Sequence, residues 1–194
     1  MASFDKLVIS FLVDEVAGGF FVDVSPGHIA TVYDKGRGVL RHTWGPGLHF
    51  KIPFWQKAKI FNAQTIEYTI RNGFNAEENK ESLGDDPITA TSTDNVNLTV
   101  QGTILVRINK ESIVSLWENI GEHFVSKIIR PVSRSRIRTA LSEFTYQQLN
   151  SSVRHDAERR IKEQLEAELG PKGLIVEGVL LSDITQTNLA NNLS

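Results

Sequence analysis

The clearest alternation of apolar and polar side chains in this chain runs from Val96 to Ile108. One parity of the run is aliphatic except for Gly102, and its bulky members are Val96, Leu98, Val100, Ile104, Val106 and Ile108. Most residues of the other parity are polar. Because successive side chains of a strand point to opposite faces, the run predicts an antiparallel β-strand with one buried and one largely solvated face.

Shorter stretches before this run also predict strands, so residues 28–108 form a strand-rich first half. His28–Asp34 is rich in β-branched and aromatic residues, which favour strands. Apolar alternation occurs twice more, at Leu48, Phe50 and Ile52 and again at Ile66, Tyr68 and Ile70. Thr89–Thr93 followed by Asp94-Asn95 predicts a hairpin, since Asn and Asp tolerate the left-handed backbone that such turns need.

After residue 110 the apolar residues follow a helical period. Ile113, Leu116, Trp117 and Ile120 occupy the i, i+3, i+4 and i+7 positions of a helix face. Glu122–Phe144 predicts a second helix, which Pro131 should kink or split near Ile129–Arg130, because proline cannot donate to the helix ladder.

The last third of the chain predicts one more helix and a closing strand. Thr145–Gln148 fits a capping box, and we predict one helix that continues from it to Gly170-Pro171. Its apolar stripe has four-residue steps: Leu149, Val153, Ala157, Ile161, Leu165 and Leu169. Leu174–Leu181 is strand-like, and residues 185–194 form a polar tail.

Composition excludes several classes of protein. The 194 residues are 40% hydrophobic and 23% charged, which is enough apolar content to build a core and rules out a disordered tail. The absence of cysteine excludes disulfide scaffolds, thiolate metal sites and cysteine nucleophiles. A net charge of −2 gives no general reason to expect nucleic-acid binding.

The N-terminal segment is the part of the sequence most suggestive of a membrane. Two apolar runs, Leu7–Val13 and Val16–Val22, flank Asp14 and Glu15. A spanning helix needs about 20 mostly apolar residues, so the segment predicts either a shallow interfacial contact or an element packed on the domain. On the first alternative the contacting residues are Leu7, Val8, Ile9, Phe11, Leu12, Phe20 and Phe21, together with Phe54 and Trp55 of an apolar turn.

The acidic segment Arg71–Pro87 has two interpretations. Its carboxylates are Glu77, Glu78, Glu81, Asp85 and Asp86. They lack the spacing and fixed glycine of a calcium loop, so a solvated loop is favoured over a divalent-cation site.

Motifs for catalysis or cofactor binding are absent from the sequence. It contains no His-Glu-x-x-His, Gly-x-Ser-x-Gly, Walker or dinucleotide-binding pattern, and its five histidines share no spacing typical of metal ligands. We therefore predict a protein that is not an enzyme and carries no metal or cofactor.

A basic stretch between Phe124 and Ser142 contains no acidic residue. Lys127, Arg130, Arg134 and Arg138 step by three, four and four positions, which places them on one helix face. They predict contact with an anionic partner, lipid headgroups rather than nucleic acid, or with a neighbouring subunit. The alternatives are a solvated face or pairing with the acidic segment.

Several motifs in order resemble the stomatin/prohibitin/flotillin (SPFH, or band 7) family, and its prohibitin-like members most closely. The motifs are Ser25–Ala30, Arg37–Val39, Gly45–Phe54, Thr91–Asp94 with Val96–Val100, Ile128–Pro131 with Ile137-Arg138, and Gly173–Glu177. The resemblance covers residues 24–184, between an N-terminal segment, residues 1–23, and the tail. It implies an α+β SPFH domain, an order of elements with which the strand and helix patterns agree.

The resemblance implies a non-catalytic, membrane-associated scaffold. Such proteins form large homo- or hetero-oligomers through a coiled coil, organise membrane microdomains and restrain membrane proteases or channels. The polar tail favours a fragment that stops where this coiled coil would begin over a minimal member with impaired assembly. The alternative function is a soluble adaptor or inhibitor of a protease or channel that does not touch lipid.

Overall fold

The computed structural model describes residues 19–73 and 83–187, which form an α+β fold. Strands dominate the first half, helices follow, and a long strand closes the chain, as predicted. Two small sheets come first in the chain, and a larger sheet covered by helices contains most of the core.

The two small sheets are built from the first five strands. β1 (Phe21–Val24) pairs antiparallel with β4 (Gly47–Phe50). β2 (His28–Asp34) lies between β3 (Gly38–Val39) and β5 (Gln56–Asn62). The backbones of Ala30 and Trp44 exchange hydrogen bonds of 2.9 and 2.8 Å, which fastens the segment before β4 to the middle of β2.

The larger sheet has the order β10-β9-β6-β7, and β8 also pairs with β9. Its strands are β6 (Ile66–Ile70), β7 (Leu83–Asp85), β8 (Ile88–Thr91), β9 (Asn97–Ile108) and β10 (Leu174–Gln186). The predicted alternation of β9 is confirmed, since Leu98 and every second residue after it to Ile108 is buried. The predicted hairpin is also confirmed by the pairing of β8 with β9 and by the positive φ of Asn95.

Helices connect β9 to β10. They are α1 (Ile113–Asn119), a π-helical turn (Val125–Ile129), α2 (Arg130–Leu141), α3 (Tyr146–Leu149) and α4 (Arg154–Leu169), with 3-10 turns at Lys110–Ser112 and Gly170–Lys172. At the predicted Ile129–Arg130 position the helix changes from π to α geometry without an interruption, since the amide of Arg130 still donates to the carbonyl of Val125.

The prediction of one helix from the capping box to Gly170 was wrong in one respect. The capping box at Thr145 is present, but the helix that it starts ends after one turn. The side chain of Asn150 donates to the carbonyl of Tyr146 at 3.1 Å, and Ser151 Oγ donates to the carbonyl of Gln148 at 2.7 Å. These local bonds satisfy the last carbonyls in place of a continuing helix, and α4 begins only at Arg154.

The buried stripe of α4 packs against β10 and α2. Its fully buried members are Ala157, Ile161, Leu165 and Leu169, all of them predicted, and their burial removes enough apolar surface from water to anchor the helix.

Two segments differ from the sequence prediction. Leu83–Asp85, expected in a solvated loop, is a strand parallel to β6, while Glu77, Glu78 and Glu81 lie outside the described residues. β10 runs on to Gln186 because the length of β9 offers it partners as far as Leu98. The first residues of the expected tail therefore belong to the sheet.

Candidate functional site

Six large apolar side chains near the small sheets are at least half exposed. We call them the apolar tip: Phe21, Leu48, Phe50, Ile52, Phe54 and Trp55. The largest exposed fraction is that of Phe54, at 87%. Scattered exposed apolar residues are ordinary in proteins, whereas exposed apolar residues that are grouped form a candidate contact surface.

The strand part of the tip is one face of the β1–β4 pair. Phe21 is opposite Phe50 in the register, and the two rings meet edge to face at a centroid distance of 6.0 Å. The half-buried ring of Phe20 stacks on Phe50 at 5.7 Å. Leu48 lies on the same face as Phe50 because strand side chains alternate. The opposite face of the pair carries Val24, which is buried.

The rest of the tip is a tight turn between β4 and β5. The amide of Trp55 donates to the carbonyl of Pro53 at 2.7 Å, across Phe54 at a φ of 60°. This is a γ-turn with positive φ at its centre, a strained geometry that is costly for a residue with a Cβ atom. The turn presents the ring of Phe54 to solvent.

A buried carboxylate holds this turn. Asp34 Oδ2 accepts hydrogen bonds of 2.9 Å from Gln56 Nε2 and from Arg37 Nη2, while its Oδ1 accepts from the amides of Gly36 and Arg37. Gln56 Oε1 accepts in turn from the amide of Ile52 at 3.0 Å. These hydrogen bonds of Asp34 and Gln56, which we call the Asp34 clamp, therefore link the end of β2 to both ends of the Phe54 turn.

Asp34 is strongly biased towards its ionised form. The hydrogen bonds from Arg37 and Gln56 hold the pKa of its carboxyl well below the usual range, and they outweigh the opposing effect of burial. The clamp on the turn is therefore charged at any physiological pH.

An open cleft of about 620 Å³ lies beside the tip. Phe50 and Ile52 of the tip form part of its wall, and the other lining residues are Arg37, Leu40, Arg41, His42, Trp44 and Gln56. The cleft thus brings two guanidinium groups next to exposed apolar side chains.

The structure brings together four of the residues predicted to contact a membrane. Phe21, Phe54 and Trp55 belong to the apolar tip, and Phe20 stacks against it. The other predicted contacts, Leu7, Val8, Ile9, Phe11 and Leu12, lie outside the described residues.

Sequence reasoning missed Leu48, Phe50 and Ile52 as surface residues. Their alternation correctly predicted a strand with one apolar face, but alternation alone does not tell whether that face is covered. The cluster of aromatic residues from Phe50 to Trp55 was the available signal.

The four cations of the predicted basic face all donate within the chain. Arg134 Nη1 is 2.5 Å from Asp85 Oδ2, and Arg130 Nη2 is 3.2 Å from Asp85 Oδ1. Arg138 Nε donates to the carbonyl of Thr89 at 2.9 Å. Lys127 Nζ donates to the carbonyl of Ile120 at the same distance. Two of the four cations, Arg130 and Arg134, thus pair with Asp85 of the acidic segment, whereas the other two bind backbone carbonyls outside it.

Asp85 and Tyr68 form the buried end of this network, where Tyr68 Oη donates to Asp85 Oδ2 at 3.3 Å. Burial raises the pKa of Asp85, but Arg134, the amide of Asp86 and Arg130 lower it by more, so the net shift is downward. Burial and the neighbouring negative charge of Asp85 raise the pKa of Tyr68 to about 12. The network fixes α2 on β6 and β7.

Two further observations concern the described ranges, 19–73 and 83–187. No group of three or more side chains there is arranged to hold a metal ion. No helix in the same ranges is both long and apolar enough to cross a membrane.

Comparison with known proteins places the chain in a family. Residues 22–194 match the SPFH domain / Band 7 family, and the chain belongs to that family. The fold is accordingly an SPFH domain, as its motifs indicated.

The chain is similar to prohibitins from animals and plants. It is 27% identical to Prohibitin 1 of Gallus gallus over 176 residues, which cover 88% of this chain and 58% of the relative. It is 21% identical to Prohibitin 1 of Drosophila melanogaster, over 88% of this chain and 55% of the relative. It is 25% identical to Prohibitin-3, mitochondrial, of Arabidopsis thaliana, over 68% of this chain and 42% of the relative. The chain spans about half the length of these prohibitins.

Proposed function

We propose that this chain is a non-catalytic, oligomerising scaffold that touches a membrane through its apolar tip. Membership of the SPFH family and similarity to prohibitins support a scaffold-type role. A role in organising membrane patches, and in restraining a membrane protease or channel, belongs to the same proposal.

The observation that carries the proposal is the conformation of Phe54. Its ring is 87% exposed on a residue with a φ of 60°. The left-handed backbone opposes folding because it is strained, and the exposed ring gains no free energy of burial to offset that strain. Local strain persists where the surroundings impose it, and such sites are frequently functional. Here the Asp34 clamp imposes the strain. The strained turn presents Phe54 and Trp55 together, and aromatic side chains of this kind are favoured at the headgroup level of a bilayer.

We place the membrane contact on the tip instead of the basic face. The described contacts of Lys127, Arg130, Arg134 and Arg138 are already made inside the chain. An anionic partner on that face would have to compete with the Asp85 carboxylate, which is buried and ionised.

Self-association is assigned to the solvent face of α4. Arg159 pairs there with Asp156 at 2.5 Å, Arg160 with Glu143 at 3.0 Å, and Lys162 with Glu166 at 3.6 Å. Exposed pairs of this kind contribute little to the fold, so they can exchange partners with a neighbouring subunit at small cost.

Vesicle flotation of the purified chain tests the membrane contact. The double variant Phe54→Ser/Trp55→Ser removes apolar surface that is mostly in water, so it should fold normally and float much less than the wild type. Leu180→Ser is the matched control, because Leu180 is a similarly exposed apolar residue on β10, and its flotation should be unchanged.

Equal flotation of the double variant and the wild type would contradict the proposal. If no form of the chain floats, the adaptor function without lipid contact becomes the better hypothesis, and partner binding should then survive the same substitutions.

A further inference from the structure

We infer that the cleft beside the apolar tip binds the headgroup of an anionic lipid, with Arg41 and Arg37 as its cationic contacts. The inference deepens the proposed membrane contact and rests on it, since it names the class of lipid that the tip would select.

Charge is distributed very unevenly around the tip. Residues 21–66, which span the tip, contain two acidic side chains, Asp23 and Asp34, and six basic ones, although the whole chain has a net charge of −2. The six are Lys35, Arg37, Arg41, Lys51, Lys57 and Lys59, of which Lys59 pairs with Glu122. Asp23 is exposed opposite Leu48 in the β1–β4 pair. Asp34 is buried against Arg37, so it offers an approaching anion little repulsion.

Two of these cations line the cleft, where Arg37 and Arg41 lie beside Phe50 and Ile52. The side chain of Arg37 is 67% exposed although one of its nitrogens contacts Asp34, and a guanidinium has five N–H donors, so donors remain for a second acceptor. Arg41 is exposed and makes no ion pair with any acidic residue in the described ranges. Planar guanidinium groups match the geometry of phosphate oxygens.

The apolar rim of the cleft favours a lipid over a soluble phosphate. A soluble anion would need only the cations, whereas Phe50 and Ile52 offer contact to the glycerol and upper acyl region of a lipid whose phosphate sits between the arginines. Neighbouring Lys35 and Lys57, both exposed, extend positive charge around the tip, and such charge attracts acidic bilayers.

The test compares vesicles of phosphatidylcholine alone with vesicles that also contain phosphatidylserine. We expect the wild type to bind the anionic vesicles more tightly, with an advantage that shrinks as salt rises. Arg41→Gln should weaken binding to the anionic vesicles about fivefold and leave binding to the neutral vesicles unchanged. Lys110→Gln, which removes an exposed cation between β9 and α1, is the matched control and should match the wild type.

The outcomes separate the inference from the proposed function. Equal wild-type binding to both kinds of vesicle, or equal losses for Arg41→Gln and Lys110→Gln, would overturn the headgroup site while the tip contact stands. Binding to neither vesicle would overturn both. Titration with glycerol phosphate distinguishes the source of the anion, because an affinity as high as that for the anionic vesicles would mean a soluble phosphate ligand and overturn the lipid site.

Discussion

Gln56 Nε2 donates a 2.9 Å hydrogen bond to Asp34 Oδ2, and the two residues are also direct register partners at the ends of β5 and β2. The same glutamine uses its oxygen to hold the amide of Ile52. One buried side-chain pair thus joins the rigid three-stranded sheet to the turn that exposes Phe54. The position of the tip is therefore set from inside the fold.

Asp34→Asn should loosen the tip without unfolding the chain. The neutral amide loses the charge that strengthens the bond from Arg37, and its NH₂ group replaces one of the two accepting oxygens, so the two donors bound to that oxygen lose their acceptor. We expect a lower melting temperature and several-fold weaker vesicle binding. Asp183→Asn is the control, since Asp183 is an exposed carboxylate on β10, outside the tip. Similar losses in the two variants would argue against the clamp.

The Asp85–Arg134 pair should stabilise the fold in a pH-dependent way. Arg134→Gln removes a charge-assisted bond to a buried carboxylate, which we expect to cost about 2 kcal/mol at pH 7. Because folding lowers the pKa of Asp85, its contribution is complete above the unfolded value of about 3.9. The contribution is lost as pH falls through the lower folded value.

Urea unfolding at pH 7 and near pH 3 measures this linkage. The difference between Arg134→Gln and the wild type should shrink at the lower pH. Arg159→Gln, which breaks an exposed pair with Asp156, should cost less than about 0.5 kcal/mol at either pH. A pH-independent cost for Arg134→Gln would show that the pair acts by packing alone.

The elements of the larger sheet and its helices could be predicted because their periods were unambiguous. β9 buries the parity that its sequence marks as apolar, and α4 buries its four-residue stripe. The early end of α3 was not foreseen because Asn150 and Ser151 act through local hydrogen bonds, which leave the apolar period unchanged.

Only part of the candidate site could be predicted from the sequence. Phe54 and Trp55 stand out as adjacent aromatic residues, but the exposure of Leu48 and Phe50 depends on what packs above β4, which is a tertiary property. The role of Asp85 was hidden for the same reason, because its arginine partners are 45 and 49 positions away in the chain.

Gly102 should be intolerant of any side chain. A Cβ atom there would lie 2.5 Å from the carbonyl oxygen of Leu180 on β10, and strand backbones cannot yield as a flexible side chain can. We expect Gly102→Ala to cost about 1 to 3 kcal/mol in the free energy of unfolding. Gly178→Ala is the matched control in the same strand pair, since its Cβ would meet only Leu105 Cδ1 at 3.6 Å. Equal effects would mean that the two strands separate more easily than the register implies.

Phe54→Gly should raise stability and lower membrane binding at the same time. Glycine adopts a φ of 60° without strain, so relief of the left-handed backbone should outweigh the entropy that glycine adds to the unfolded chain, with a net gain of about 0.5 to 1 kcal/mol. Removal of the most exposed ring of the tip should weaken vesicle binding several-fold.

Asn95→Gly is the control for this prediction. It makes the same backbone change at a φ of 59° in the β8–β9 hairpin and should leave vesicle binding intact. A variant at Phe54 that gains stability and still binds vesicles would mean that the strained turn serves something other than the membrane. A gain in the free energy of unfolding together with a loss of vesicle binding would show that the chain keeps a less stable turn because that turn contacts the membrane.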